Sequence, residues 1–158
     1  MSTFCAGVRS RIRDDRVEFL CKRVLRNYEY LFVFPGGNIG SKEKPVEILE
    51  RAFSLQTGMV VLSSILISVK QYAGIDGVIS FSNLFWLVTD CCKDTTREGE
   101  PELPQGVSLV WMEASDLWDL IFESHRPALL VAIKKLARLD KEFAWVLSGS
   151  CPGLFPAK

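Results

Sequence analysis

The sequence predicts an α/β domain, a mixed β-sheet with helices on both faces. Three observations point there. Short apolar runs rich in Val, Ile, Leu and Phe recur along the chain at strand length. A helix-like segment, residues 45–57, stands between two groups of them, opened by Pro45 and closed by Gly58. Two further helical stretches follow the last apolar run. The order is β-rich, helix, β-rich, short helix, long helix. It fits one domain over residues 1–148, followed by a flexible tail, 149–158, rich in Pro and Gly.

Taken in order, residues 4–13 alternate loosely between apolar and polar. Asp14-Asp15 reads as a turn and Val17 to Leu25 as a returning strand, so the start of the chain predicts a β-hairpin. Arg26-Asn27 is a second turn, leading into a strand over 29–34. Arg9, Arg11 and Arg13 share one strand face by the period of two. They suit either the phosphates of a ligand or a solvated surface. Pro35-Gly36-Gly37 then turns the backbone tightly, since glycine takes positive φ at no steric cost. After Gly58, residues 59–72 predict one or two strands, Gly74-Ile75-Asp76-Gly77 a turn, and Val78 to Thr89 a long buried strand. Residues 90–106 are polar and form the main loop. A strand over Val107 to Met112 precedes a short helix that begins at Ala114 or Ser115 and runs to about Phe122. Pro127 opens a last helix to about Leu147. Its Leu129, Ile133, Leu136, Phe143 and Leu147 keep to one face.

The stretch from Pro35 to Met59 carries the strongest spacing in the chain. Gly37 is followed by five residues and Glu43; seven more lead to Arg51, and Phe53, Gly58 and Met59 follow. This spacing resembles the Nudix box of the MutT-like hydrolases. The resemblance implies an α/β/α sandwich with a mixed sheet, and it extends over nearly the whole chain. It also implies pyrophosphohydrolase chemistry on a nucleoside diphosphate linked to another moiety, with Mg²⁺ or Mn²⁺ as cofactor. The box is degenerate. Where the family places its three metal-binding glutamates, this chain has Ala52, Leu55 and Gln56. Lys42 stands where the family often has Gly, and adds a cation beside the loop.

Breaking a pyrophosphate linkage needs charge neutralised on two phosphates and a water made nucleophilic, which hard cations held by carboxylates supply. Positions 52, 55 and 56 share a helix face at spacings of three and four. With Ala52 at zero and about 100° per residue, Leu55 lies at about 300° and Gln56 at about 40°, so the face is apolar except for Gln56. Glu43, Glu47 and Glu50 fall at roughly 160–220°, on the far side. Gln56 offers an uncharged amide oxygen. Arg51, which orients the metal glutamates in the family the box resembles, is left to pair with Glu47 or Glu50 or to meet a phosphate. The candidate catalytic residues are therefore Glu43, Arg51 and Gln56, and the candidate ligand-binding residues are Gly36, Gly37, Lys42, Arg9 and Arg11. Glu43, Glu98, Glu100 and Glu102 are the carboxylates available to a metal. Trp86, Trp111 and Trp118 suit the core, and His125, the one His, suits an exposed linker between helices.

Composition narrows the partners. Lys plus Arg and Asp plus Glu both number 19, so net charge predicts neither a nucleic-acid nor an anionic-membrane partner. No apolar stretch is long enough to span a membrane. Five Cys, with Cys91 and Cys92 adjacent, suggest neither a disulfide framework nor a metal-ligand spacing, which fits a reduced, cytoplasmic setting. Three readings stay open: a catalytically impaired Nudix domain that binds a nucleotide-type ligand or a protein; a metal-dependent hydrolase with relocated ligands; and a structural subunit, a homodimer for instance, that buries the Ile48–Ala52–Leu55 stripe.

Overall fold

In chain order the elements are β1 (Ser2–Val8), β2 (Ser10–Arg13), β3 (Arg16–Arg26), β4 (Glu29–Val33), β5 (Gly36–Asn38), α1 (Pro45–Thr57), β6 (Met59–Ala73), β7 (Ile79–Lys93), β8 (Val107–Glu113), α2 (Ala114–Leu120), α3 (Arg126–Leu139) and α4 (Lys141–Ser150). The structure is a computed structural model, and it describes residues 2–38, 43–96, 101 and 103–150. The chain forms two units: Met1–Val8 with Phe34–Gln105, and Arg9–Val33 with Gly106–Lys158.

The first unit is a mixed sheet of strand order β5-β1-β7-β6 with α1 against it. β1 runs parallel to β7 and antiparallel to β5, pairing Ala6 with Gly36 and Cys5 with Gly37. Its core gathers Phe34, Phe53, Phe85, Leu49 and Leu87, all buried. Phe85 meets the edges of Phe4 and Phe34, with centroids 6.4 and 6.2 Å apart, a favoured geometry for aromatic pairs. Helix α1 has the bounds that its sequence predicts. Gly58 sits in the left-handed region at φ 71° and its N–H donates to the Ser54 carbonyl, which ends the helix. Thr57 Oγ1 donates to the Phe53 carbonyl and accepts from the Met59 N–H, so the chain enters β6 at once. β6 is one strand of 15 residues, with register shifts at four places against β7. β7 continues to Lys93, beyond the predicted end at Thr89. The polar residues Asp90 to Lys93 still pair with Ser63 to Met59, because a strand with an open face accepts polar side chains.

The second unit is an antiparallel sheet in which β3 pairs with β2, β4 and β8. The hairpin expected from residues 4–13 and 17–25 forms only in part: β2 pairs with β3, while Ser2–Val8 is β1 of the first unit's sheet. The two-residue turns β2–β3, at Asp14 and Asp15, and β3–β4, at Asn27 and Tyr28, have positive φ, the hairpin geometry that matches strand twist. Helix α4 packs on β3, with Phe143 edge-on to Phe19 at 6.4 Å.

Two expectations for this unit need correction. The last helix is two helices. Asp140 is extended (φ −137°, ψ 110°), and its carboxylate accepts from the N–H groups of Glu142 and Phe143, so one residue ends α3 and caps α4. His125, expected to be exposed, is buried in a short 3-10 turn, its ring 5.9 Å from Phe122. Burial, reinforced by the charge of Lys22, pushes its pKa down to about 4. Gly149 and Ser150, placed in the tail by the sequence, close α4. Residues 151–158 lie outside the described residues; among the described residues no helix is long and apolar enough to cross a membrane.

Candidate functional site

The box residues meet at the end of β5 and along α1. Gly36 lies so close to β1 that a Cβ there would stand 2.2 Å from the Cys5 carbonyl oxygen. Only glycine fits. Gly37 is close to the helix but less constrained, its notional Cβ 3.1 Å from that of Ala52. Gly36 thus lets β5 approach β1, and Gly37 lets it approach the helix, where the small residue at position 52 lies beneath the strand.

The polar groups of the box are turned on one another. Gln56 bonds both backbone groups of Gly36: the Gly36 N–H donates to Oε1 at 3.1 Å, and Nε2 donates to the Gly36 carbonyl at 2.7 Å. Arg51 grips Glu43 in a two-pronged pair, Nε to Oε2 and Nη2 to Oε1, both 2.9 Å. Its partner is Glu43, not the Glu47 or Glu50 expected from helix spacing. Glu47 instead accepts from the Lys44 N–H at 3.3 Å and supports the helix start. Glu47 and Glu50 are exposed, as their helical angles predict. Of the apolar stripe, Ile48 and Ala52 are buried and Leu55 is 43% exposed.

The structure therefore brings Gly36, Gly37, Glu43, Arg51 and Gln56 together in the first unit. Arg9 and Arg11 belong to the second. Arg11 Nε donates to Glu18 at 2.7 Å and its guanidinium lies 4.2 Å over the Trp111 ring. Arg9 precedes β2 and its carbonyl accepts from the Leu20 N–H; Arg13, mostly exposed, approaches Asp14. Lys42, Glu98, Glu100 and Glu102 lie outside the described residues. Trp86 is buried, while Trp111 and Trp118 are half-buried.

A divalent cation asks for several carboxylate oxygens at one point. Among the described residues no group of three or more His, Cys, Asp or Glu is so placed. Both Glu43 oxygens face Arg51, Ala52 and Leu55 carry no donor atom, and the Gln56 oxygen faces a backbone N–H. The described residues of the box do not fit a hard cation. One feature escaped sequence reasoning, the pair of hydrogen bonds between Gln56 and the Gly36 backbone. Its signal was the amide itself, which both donates and accepts.

Neither a protein-family model nor a curated protein sequence matches the chain. Solved structures do. An ADP compounds hydrolase superposes with a TM-score of 0.67 at 16% identity, covering 89% of this chain and 75% of its own. The structure of MutT from Aliivibrio salmonicida and Vibrio cholerae gives 0.63 at 21% identity, covering 85% and 98%. A MutT NUDIX hydrolase from Burkholderia pseudomallei gives 0.57 at 20%, covering 82% and 95%. The fold is that of the Nudix hydrolases. The class expected from the sequence, an α/β/α sandwich with a mixed sheet, is the class of these Nudix neighbours.

Proposed function

We propose that this chain uses the Nudix fold to bind a nucleotide-type ligand and does not hydrolyse it by divalent-metal catalysis. The observation that carries the reading is the closure of the box on itself. Glu43 is held by Arg51, Gln56 by Gly36, and the two remaining metal positions are Ala52 and Leu55. Carboxylates that would gather Mg²⁺ or Mn²⁺ are replaced by side chains that stabilise the strand–loop–helix. The name of one neighbour, an ADP compounds hydrolase, supports the nucleoside-diphosphate class of ligand.

The experiment has two arms. The purified protein is incubated with Mg²⁺ or Mn²⁺ and a panel of nucleotide sugars, dinucleotides and nucleoside triphosphates. No product forms at ordinary enzyme rates, roughly 1–10³ s⁻¹. The same panel is screened by thermal shift. At least one nucleoside diphosphate derivative raises the melting temperature, equally with metal and with EDTA, because a ligand that binds the native state stabilises it by mass action. Turnover that EDTA abolishes would sink the proposal, as would a panel that shifts nothing.

A further inference from the structure

We infer that Gln56 is a built-in replacement for a cation: its carboxamide fills, with its own N–H, a gap at the Gly36 carbonyl that a carboxylate at position 56 would leave open to a proton or a metal ion. This deepens the reading of the box as closed, and rests on it.

The geometry is specific to an amide. Gly36 presents a donor and an acceptor to residue 56, the N–H at 3.1 Å and the carbonyl oxygen at 2.7 Å. A carboxamide answers both, as a neighbouring peptide would in a sheet. Gly36 cannot move away. It is pinned in register to Ala6, and a Cβ added to it would stand 2.2 Å from the Cys5 carbonyl oxygen, so no side chain is admitted. At the other end, Gln56 is fixed in the last turn of α1, one residue before Thr57, whose hydroxyl bonds the Phe53 and Met59 backbone. A glutamate in the same place would still accept from the Gly36 N–H. Its second oxygen would then face the Gly36 oxygen at the 2.7 Å now spanned by a hydrogen bond. Two acceptors at that distance repel unless something positive lies between them. A proton on the carboxyl would restore the amide pattern, and a bound cation would do the same electrostatically. The wild-type chain needs neither.

The test compares wild type with Gln56→Glu by thermal unfolding in EDTA at neutral pH. The variant melts lower, on the order of 5 °C, for a chain of this size. Adding Mn²⁺, or lowering the pH toward that of a protonated carboxyl, narrows the gap. Wild type is measured at each condition, so groups common to both proteins cancel: Glu47, Glu50 and Arg51 on α1, Glu43 before it, and Cys5 on β1, which burial keeps protonated. Gln56→Met removes both bonds without adding an oxygen. Its deficit responds to neither acid nor Mn²⁺, and it serves as the reference if Gln56→Glu folds only in acid. Equal stability of Gln56→Glu and wild type at neutral pH in EDTA overturns the inference. So does a gap that neither acid nor Mn²⁺ narrows. Metal-dependent turnover by wild type would instead overturn the proposed function and leave the stability comparison standing.

Discussion

The two edges of the first unit's sheet are finished in opposite ways. At the β5 edge a side chain completes the hydrogen bonding: Gln56 meets both backbone groups of Gly36, and α1 packs close behind. At the β6 edge nothing comparable happens among the described residues. None of the 15 residues of β6 is buried, and Leu62, Leu66 and Val69 stand about half exposed. That strand carries a single charge, Lys70, and is blunted mainly by its register shifts. The contrast separates two ways of handling an edge. Close packing with an internal polar partner makes β5 intolerant of change, whereas β6 is tolerant in the fold and its exposed apolar side chains are available for contacts.

Substitutions across the sheet should grade accordingly. Gly36→Ala has the largest effect, because the added Cβ meets backbone, the Cys5 carbonyl at 2.2 Å and the Ala6 Cα at 2.7 Å. Strand pairing must shift, and we expect a loss of roughly 3 kcal/mol or more by chemical denaturation. Gly7→Ala, one strand inward, meets only side chains: Phe53 at 2.8 Å and Leu49 and Val88 at 3.0 Å. Rotamers can absorb part of that, so the loss is smaller, about 1–2 kcal/mol. If Gly7→Ala proved the worse of the two, the edge at β5 would not be the rigid part of the sheet.

The same contrast explains what the sequence made legible. Helix α1 could be read because Pro45 and Gly58 punctuate it locally, and its solvated face followed from the angles of Glu47 and Glu50. The box glycines could be placed by spacing alone. The partners of Arg51 and Gln56 could not, since Glu43 lies in the loop, where helical angles say nothing, and Gly36 offers only backbone. The Asp140 break was missed because an apolar stripe spaced for one helix continues through it, while the decisive bonds are to two N–H groups just beyond. His125 was misplaced for a related reason. A His between helices reads as polar, and only its burial in the fold, reinforced by the charge of Lys22, pushes its pKa down.

The Arg51–Glu43 pair lies between the extremes. Its geometry is good, but Arg51 is 50% exposed and Glu43 34%. Solvent screens such a pair, so Arg51→Ala should cost only about 0.2–1 kcal/mol. The deficit should shrink in high salt, where wild type loses the same attraction. A salt-independent loss well above 1 kcal/mol would mean that Arg51 braces the box through packing of its stem rather than through charge.

The smallest effect on stability is expected at β6. Leu66→Ser and Val69→Thr change exposed positions on a strand with no buried residue, so each should alter unfolding free energy by no more than about 0.5 kcal/mol. Their effect belongs to association. A long strand with exposed Leu and Val is a surface on which chains adhere as concentration rises. Sedimentation velocity over a concentration series should show wild type sedimenting faster with concentration and the double variant less so, with melting temperatures nearly equal. Unchanged association in the double variant would place the contact elsewhere. A large drop in melting temperature would mean that β6 contributes to the core after all, and the two edges would differ only in degree.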